Sequence, residues 1–214
     1  MEIDPRQIPQ RDRYKLLTGA IVPRPIAFVS TVSPDGRTNL APFSFFAGVS
    51  SEPMSLLFCP ANKPDGCEKD TLRNVLLGAT PGDALLGGGE FVVNVVSMDI
   101  ARPMVICAEE LPYGESEFGI SGLTPSPSNQ VRPPRVLESM VSFECRAMQV
   151  IRLAVGIGGG GNIVLGRIVW IHAADRVIDD RFHIEAGALD ATGRMMGLAY
   201  CSTRDRFELP MGRG

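Results

Sequence analysis

The chemistry-bearing residues of this chain gather in a few places. "KDTLRNVLLG" (69–78) places Lys69, Asp70 and Thr71 ahead of Leu72, Val75 and Leu76, which share one helical face. Asp70 or Thr71 can cap the first N–H groups of that helix. A helix N-terminus offers unpaired N–H groups and a partial positive charge, and Lys69 and Thr71 add an ammonium and a hydroxyl. Those parts suit a phosphate. Taken alone, the pattern is more often ordinary capping.

A second group lies in "VPRPIAFVSTVSPDGRTNLAPFSFFAGVS" (22–50). Ser30-Thr31 and "NLAPFS" (39–44) bring hydroxyls, an amide and backbone groups to neighbouring strands. Buried polar groups must find partners. They either bond one another at a barrel mouth or meet the edge of a flat polar ring such as a flavin.

Nucleophile and metal chemistry have little support. The five cysteines include no C-x-x-C spacing, and there are only two histidines, so neither a zinc set nor a hydrolase triad emerges. Cys145 follows Glu144 in "FECR" but has no histidine near it in sequence, and a buried structural thiol is expected. His172, in "IVWIHAA", reads as a packed sheet residue. "GIGGGG" (156–161) fits G-x-G-x-x-G, but a strand-like run follows where a dinucleotide site needs a helix, so a hairpin loop is expected.

The elements that must position these groups are mostly strands. "IAFVSTV" (26–32) reads as a strand, and "SPDG" (33–36) as a turn in which Gly36 accepts positive φ. "RTNLAPFSFFAGVS" (37–50) resumes extended structure. Further strands are expected at 54–60, 90–96, 139–153 and 162–178, and a second helix over 97–110, with Pro103 in its first turns. Residues 1–13 read as a polar lead-in, 79–89 as an inserted loop, and the proline-rich 111–135 as one long loop. Six or seven strands with a few helices favour a mainly β antiparallel barrel or sandwich.

At 214 residues a single domain is expected. Lys and Arg number 21 against 24 Asp and Glu, a net charge of −3, which gives no footprint for nucleic acid or an anionic membrane. No apolar run reaches the ~18 residues of a membrane helix, and the polar N-terminus does not resemble a signal peptide, so a cytoplasmic protein is expected.

The chain resembles the flavin reductase-like family of FMN-binding split barrels, which includes flavoredoxin. "PRPIAFVST", "DGRTNLAPFSFF", "EPMSLLFC", "KDTLRN", "FVVNVV", "PPRVLESMVSFEC", "NIVLGRIVWIH" and "GRMMGLAYCSTRDRFELP" occur in the family's order, from about Tyr14 to Pro210. The resemblance implies one six-stranded antiparallel split β-barrel domain with inserted helices. Its core spans about 14–180, with a C-terminal segment, 181–214, packed on the barrel or on a partner subunit. It also implies a homodimer with FMN, or else FAD, near the interface. By position, Arg24, Pro25, Ser30 and Thr31 line the cofactor site. Asn39, Ala41, Pro42, Ser44 and Phe45 form a second wall, and Lys69, Asp70 and Thr71 meet the phosphate end. Arg194 and Tyr200 match a segment that closes over the site. The 79–89 insertion, the glycine-rich loop and the carboxylate of Glu68 depart from the family pattern.

The implied activity is hydride transfer from NAD(P)H to FMN, with reduced flavin or electrons passing to a flavin-dependent monooxygenase or another acceptor. The flavin carries the chemistry, so no catalytic side chain is assigned. An FMN-binding electron carrier without nicotinamide activity and a non-catalytic split-barrel dimer are the alternatives. Oxidation of a pyridoxamine phosphate-like substrate matches the motifs less well.

Overall fold

The Ser33–Gly36 turn joins strand β1 (Ala27–Val32) to β2 (Thr38–Phe43) as an antiparallel hairpin, in register from Ala27↔Phe43 to Val32↔Thr38. Gly36 sits at φ +89° and donates its N–H to Ser33 O at 2.9 Å, the conformation expected of it. The computed structural model describes residues 1–77, 89–210 and 212. The expected inserted loop, 79–89, lies outside them except for Gly89.

The other sheet strands are β3 (Phe46–Ser51), β4 (Met54–Phe58) and β5 (Glu90–Val95). After them come the two-residue β6 (Pro125–Ser126) and β7 (Arg135–Val136), then the long β8 (Val141–Arg152) and β9 (Asn162–Ala173). Two short strands, β10 (Thr192–Arg194) and β11 (Tyr200–Ser202), form a hairpin in the tail. The helices are α1 (Gln10–Ala20), α2 (Asp70–Leu77), α3 (Ala101–Ile106), α4 (Phe118–Ser121) and α5 (Ala186–Leu189).

The main sheet has seven strands in the order β2-β1-β5-β8-β9-β4-β3, and every pair is antiparallel. Its two outer members, β2 and β3, are one stretch of chain interrupted only at Ser44-Phe45. That stretch passes from one edge of the sheet to the other and closes it into a barrel.

Alternation along the strands separates two cores. Ala27, Val29, Phe43, Phe58, Phe91 and Val93 fill the inside, with Leu72 and Val75 of α2 packed among them. Ile26, Phe28 and Leu40 face outward and are covered by Met104 of α3, Phe118 of α4 and Val136 of β7. Thr31 therefore shares the inner face with α2, while Ser30 points outward.

Several sequence expectations need correction. The lead-in is not unstructured, because α1 begins at Gln10. Its polar composition hid it: only Thr18 is buried. The 37–50 strand breaks at Ser44-Phe45 to change sheet edges. The 97–110 helix is a 3₁₀ turn (Met98–Ile100) followed by α3, and it ends at Cys107. The 111–135 loop contains α4 and β6, and at its end Arg135 begins β7. The 162–178 strand stops at Ala173, and a 3₁₀ turn follows.

The glycine-rich segment connects β8 to β9, as expected of a hairpin loop. It is held by Asn62, whose Nδ2 donates to Ala154 O at 2.9 Å and to Ile157 O at 3.0 Å. A Cβ on Gly158 would lie 2.3 Å from Pro64 O, so this loop needs glycine to close against segment 62–66. No helix among the described residues is long and apolar enough to cross a membrane.

Candidate active site

A cleft opens where β2 meets the start of α2. Asn39, Ala41 and Pro42 line it from the strand, and Lys69, Asp70 and Thr71 from the helix. Lys63, Glu117 and the segment Cys107–Leu111 complete the lining, around about 500 Å³ of open space continuous with solvent. Six of the fourteen residues expected at the site thus meet in one place.

A buried polar cluster ties these walls together. Asn39 Nδ2 donates to Thr71 Oγ1 at 2.9 Å and to Thr31 Oγ1 at 3.2 Å. Asn74 Nδ2, one turn further along α2, also donates to Thr31 Oγ1, at 3.0 Å. Thr31 thus reaches the cleft indirectly, by anchoring Asn39. The expected cap does not form. Among the described residues neither Asp70 nor Thr71 accepts from an α2 N–H; Thr71 accepts from Asn39, and Asp70 Oδ1 lies 3.6 Å from Lys63 Nζ. Among the described residues no side chain caps the first-turn N–H groups, and Lys63 and Lys69 line the same cleft.

Glu117 is 6% exposed and accepts the Leu40 N–H at 2.8 Å through Oε2. Burial pushes its carboxyl above the usual range and nearby Asp70 adds to the shift, while the Leu40 N–H and Lys69 oppose it. Cys107, beside it, is a thiol pushed up to about 11, chiefly by burial, and is no nucleophile.

A second cluster lies further along β2. Asn39 to Ser44 spans about 17 Å of extended chain. There Arg24, 4% exposed, spends its guanidinium within the protein. Nη1 donates to Thr18 O at 2.6 Å and Ile21 O at 2.7 Å, Nη2 to Met195 O at 2.9 Å, and Nε to Ser44 Oγ at 3.4 Å. It neutralises the carbonyl end of α1 and fastens it to the tail. Phe45 faces Tyr14 of α1 with ring centroids 6.5 Å apart. Arg194 pairs by backbone with Arg24 and lays its guanidinium 4.4 Å from the centroid of the Tyr200 ring. The tail hairpin therefore docks on the body of its own chain.

The remaining expected residues sit elsewhere. Ser30 Oγ donates to Pro134 O on the outer face. Pro25 is exposed beside the buried Arg24. Glu68 pairs with Arg152 at 2.9 Å and does not line the cleft.

Neither histidine lines the cleft. His172 Nε2 lies 2.5 Å from Glu144 Oε1, which also accepts the Asn129 N–H at 2.7 Å, while Oε2 accepts the Gln130 N–H at 2.6 Å. Burial of Glu144 opposes its ionisation, but those donors outweigh it and hold the carboxyl below the usual range. Cys145 is fully buried, and burial raises its thiol well above the ordinary value. Among the described residues no cluster of His, Cys, Asp and Glu could hold a metal ion.

Sequence reasoning missed Lys63, Asn74 and Glu117. Asn74 was accessible, since it follows Thr71 by three residues on a helix. Lys63 and Glu117 come from loops whose path no periodicity reveals.

Comparison with known proteins gives this arrangement a context. The model of the flavin reductase-like domain matches residues 19–199. Nitrilotriacetate monooxygenase component B from Bacillus cereus is 32% identical, with a TM-score of 0.88 over 98% of both chains. The Pseudomonas fluorescens 2-nitrobenzoate 2-nitroreductase is 27% identical, with a TM-score of 0.82 over 99% of this chain and 96% of that one. A Shewanella frigidimarina protein with a split barrel domain, 20% identical, shares the fold at a TM-score of 0.79 over 99% of this chain and 100% of its own. The closed antiparallel sheet is thus a split barrel, and the chain belongs to the flavin reductase-like family.

Proposed function

We propose that this chain is an NAD(P)H-dependent flavin reductase that binds FMN in the cleft between β2 and α2. One observation carries the reading: a hydrogen-bonded wall (Thr31, Asn39, Thr71) ties the start of α2 to β2, in a cleft that Lys63 and Lys69 also line. These residues fit a flavin mononucleotide. Lys63, Lys69 and the first-turn N–H groups of α2 suit its phosphate. The wall formed by Ala41 and Pro42, with Ser44 and Phe45 beyond it, suits the ring.

Bound flavin supplies hydride acceptance and onward electron transfer. The protein's part is to bind and orient. The Asn39–Thr71 bond fixes the ring wall relative to the phosphate end. Arg24 positions Ser44 and Phe45 rather than touching the cofactor. Arg194 and Tyr200 enter this scheme only through Arg24, with which the tail pairs by backbone. No side chain acts as an acid or base in this scheme.

The protein works as a homodimer formed by a single flavin reductase-like domain per chain, in the cytoplasm. Exposed apolar residues support the dimer: Val49 on β3, Met54 on β4, and Trp170 and Ile171 on β9. The likeness to a monooxygenase component B supports a flavin-dependent monooxygenase as the consumer of the reduced flavin. A second reading follows from the 2-nitrobenzoate 2-nitroreductase: a small acceptor takes electrons directly from flavin that stays bound.

Steady-state oxidation of NADH and NADPH, with and without added FMN, tests the activity. Flavin-dependent consumption of either nucleotide is expected. No consumption of either, by protein shown to carry FMN, removes the reductase activity and leaves an electron carrier.

A further inference from the structure

Glu117 has one carboxylate oxygen committed and one to spare. Oε2 accepts the Leu40 N–H at 2.8 Å. Among the described residues, Oε1 takes no hydrogen bond from any other residue, and no ammonium lies within salt-bridge distance of either oxygen. The residue is 6% exposed, yet it lines the cleft. Thr38 Oγ1 and Ser116 Oγ, 2.7 Å apart, hold the preceding residue to the same strand, so the carboxylate is fixed.

The groups around it narrow its partner. Lys63, Lys69, Asp70, Glu109 and Glu110 line the same cleft, and Cys107 lies beside it. An ionised carboxylate only accepts hydrogen bonds, so it repels a phosphate and selects a donor. The β2 edge lacks donors here too, since the Leu40 N–H is used and Pro42 has none. A ligand whose phosphate lies by Lys69 and whose ring lies along β2 brings the chain between them to this point. In a flavin that chain is a polyol.

We propose that Glu117 is a binding residue that accepts a hydrogen bond from a ribityl hydroxyl of the flavin. This rests on the flavin reading above. It makes the cleft selective for flavins that carry the hydroxylated chain, independently of the phosphate.

Equilibrium titration of the full chain with FMN, riboflavin and lumiflavin, the last lacking the ribityl chain, tests it. Wild-type protein should bind riboflavin about tenfold more tightly than lumiflavin, as expected of one charge-assisted bond. Glu117→Gln keeps an acceptor for Leu40 but loses the charge. It should weaken FMN and riboflavin by about tenfold and leave lumiflavin within about twofold. Circular dichroism and thermal melting establish that the variant is folded. Equal weakening of all three ligands would make Glu117 merely a brace for β2, and no change would remove it from the site. Either result overturns the assignment while wild-type binding still stands. Wild-type protein that binds none of the three overturns the flavin reading, and this assignment with it.

Discussion

Asn39 Nδ2 donates to Thr71 Oγ1 at 2.9 Å, and this one bond joins the second barrel strand to the first turn of the helix beside it. Both residues are buried, so water has little access to the bond. Thr71→Val keeps the shape and removes the acceptor. It should cost about 2 kcal/mol of stability in urea unfolding and weaken FMN about tenfold. Thr71→Ser should recover most of both. Wild-type stability and affinity in Thr71→Val would show that the wall does not depend on this bond.

Substitution of Lys69 tests the phosphate end of the proposed site separately from the ring end. Lys69→Ala should weaken FMN about tenfold and leave riboflavin within about twofold, and the difference should shrink as salt screens the charge. Fluorescence titration with both flavins at two ionic strengths reads this directly. Equal loss for both would place Lys69 away from the phosphate.

Arg24 illustrates a residue whose type points to a ligand while its geometry points to the fold. Its guanidinium serves carbonyls at Thr18, Ile21 and Met195 as well as Ser44 Oγ. Arg24→Ala should therefore cost about 3 kcal/mol, because four acceptors around a buried guanidinium lose their donor at once. Arg24→Lys should recover less than half of that, since a single ammonium cannot reproduce the planar fork. Urea midpoints of the three proteins decide it.

Glu144 sets an acid limit on stability. Its carboxyl is held below the ordinary value of 4.5 in the folded chain, with burial opposing and the Asn129 N–H, His172 and the Gln130 N–H favouring the charged form. Its contribution is present above that ordinary value and is lost as pH falls through the lower folded value. Wild-type melting temperature should drop below about pH 4.5, and Glu144→Gln should be less stable near neutrality but show a shallower acid drop. Glu117 has the opposite sign. Its raised carboxyl contributes below the ordinary value and loses that contribution as pH rises through the folded one. Melting curves of both Gln variants across pH separate the two.

The barrel was legible because its signals are local. The Pro34 and Gly36 turn and the β-branched, aromatic runs on either side of it mark the β1–β2 hairpin, whereas the division of Thr31 from Ser30 was missed although strand alternation implies it. α1 was not legible, since its exposed, polar sequence carries almost no buried stripe. The cleft was half legible. Asn39, Ala41, Pro42 and Lys69–Thr71 come from two continuous motifs, whereas Lys63 and Glu117 arrive on loops that only the tertiary fold brings close. Arg24, Ser44, Arg194 and Tyr200 do gather, but around one another rather than around that cleft. Residue type could not show that the guanidinium of Arg24 was already satisfied.

The visible spectrum of the purified protein with added FMN, followed anaerobically as NADH and then NADPH is supplied, tests the central claim most directly. Flavin bands that shift on binding and bleach with one of the nucleotides are the predicted result. A spectrum identical to that of free FMN, with no rise in melting temperature, would contradict flavin binding in the cleft between β2 and α2.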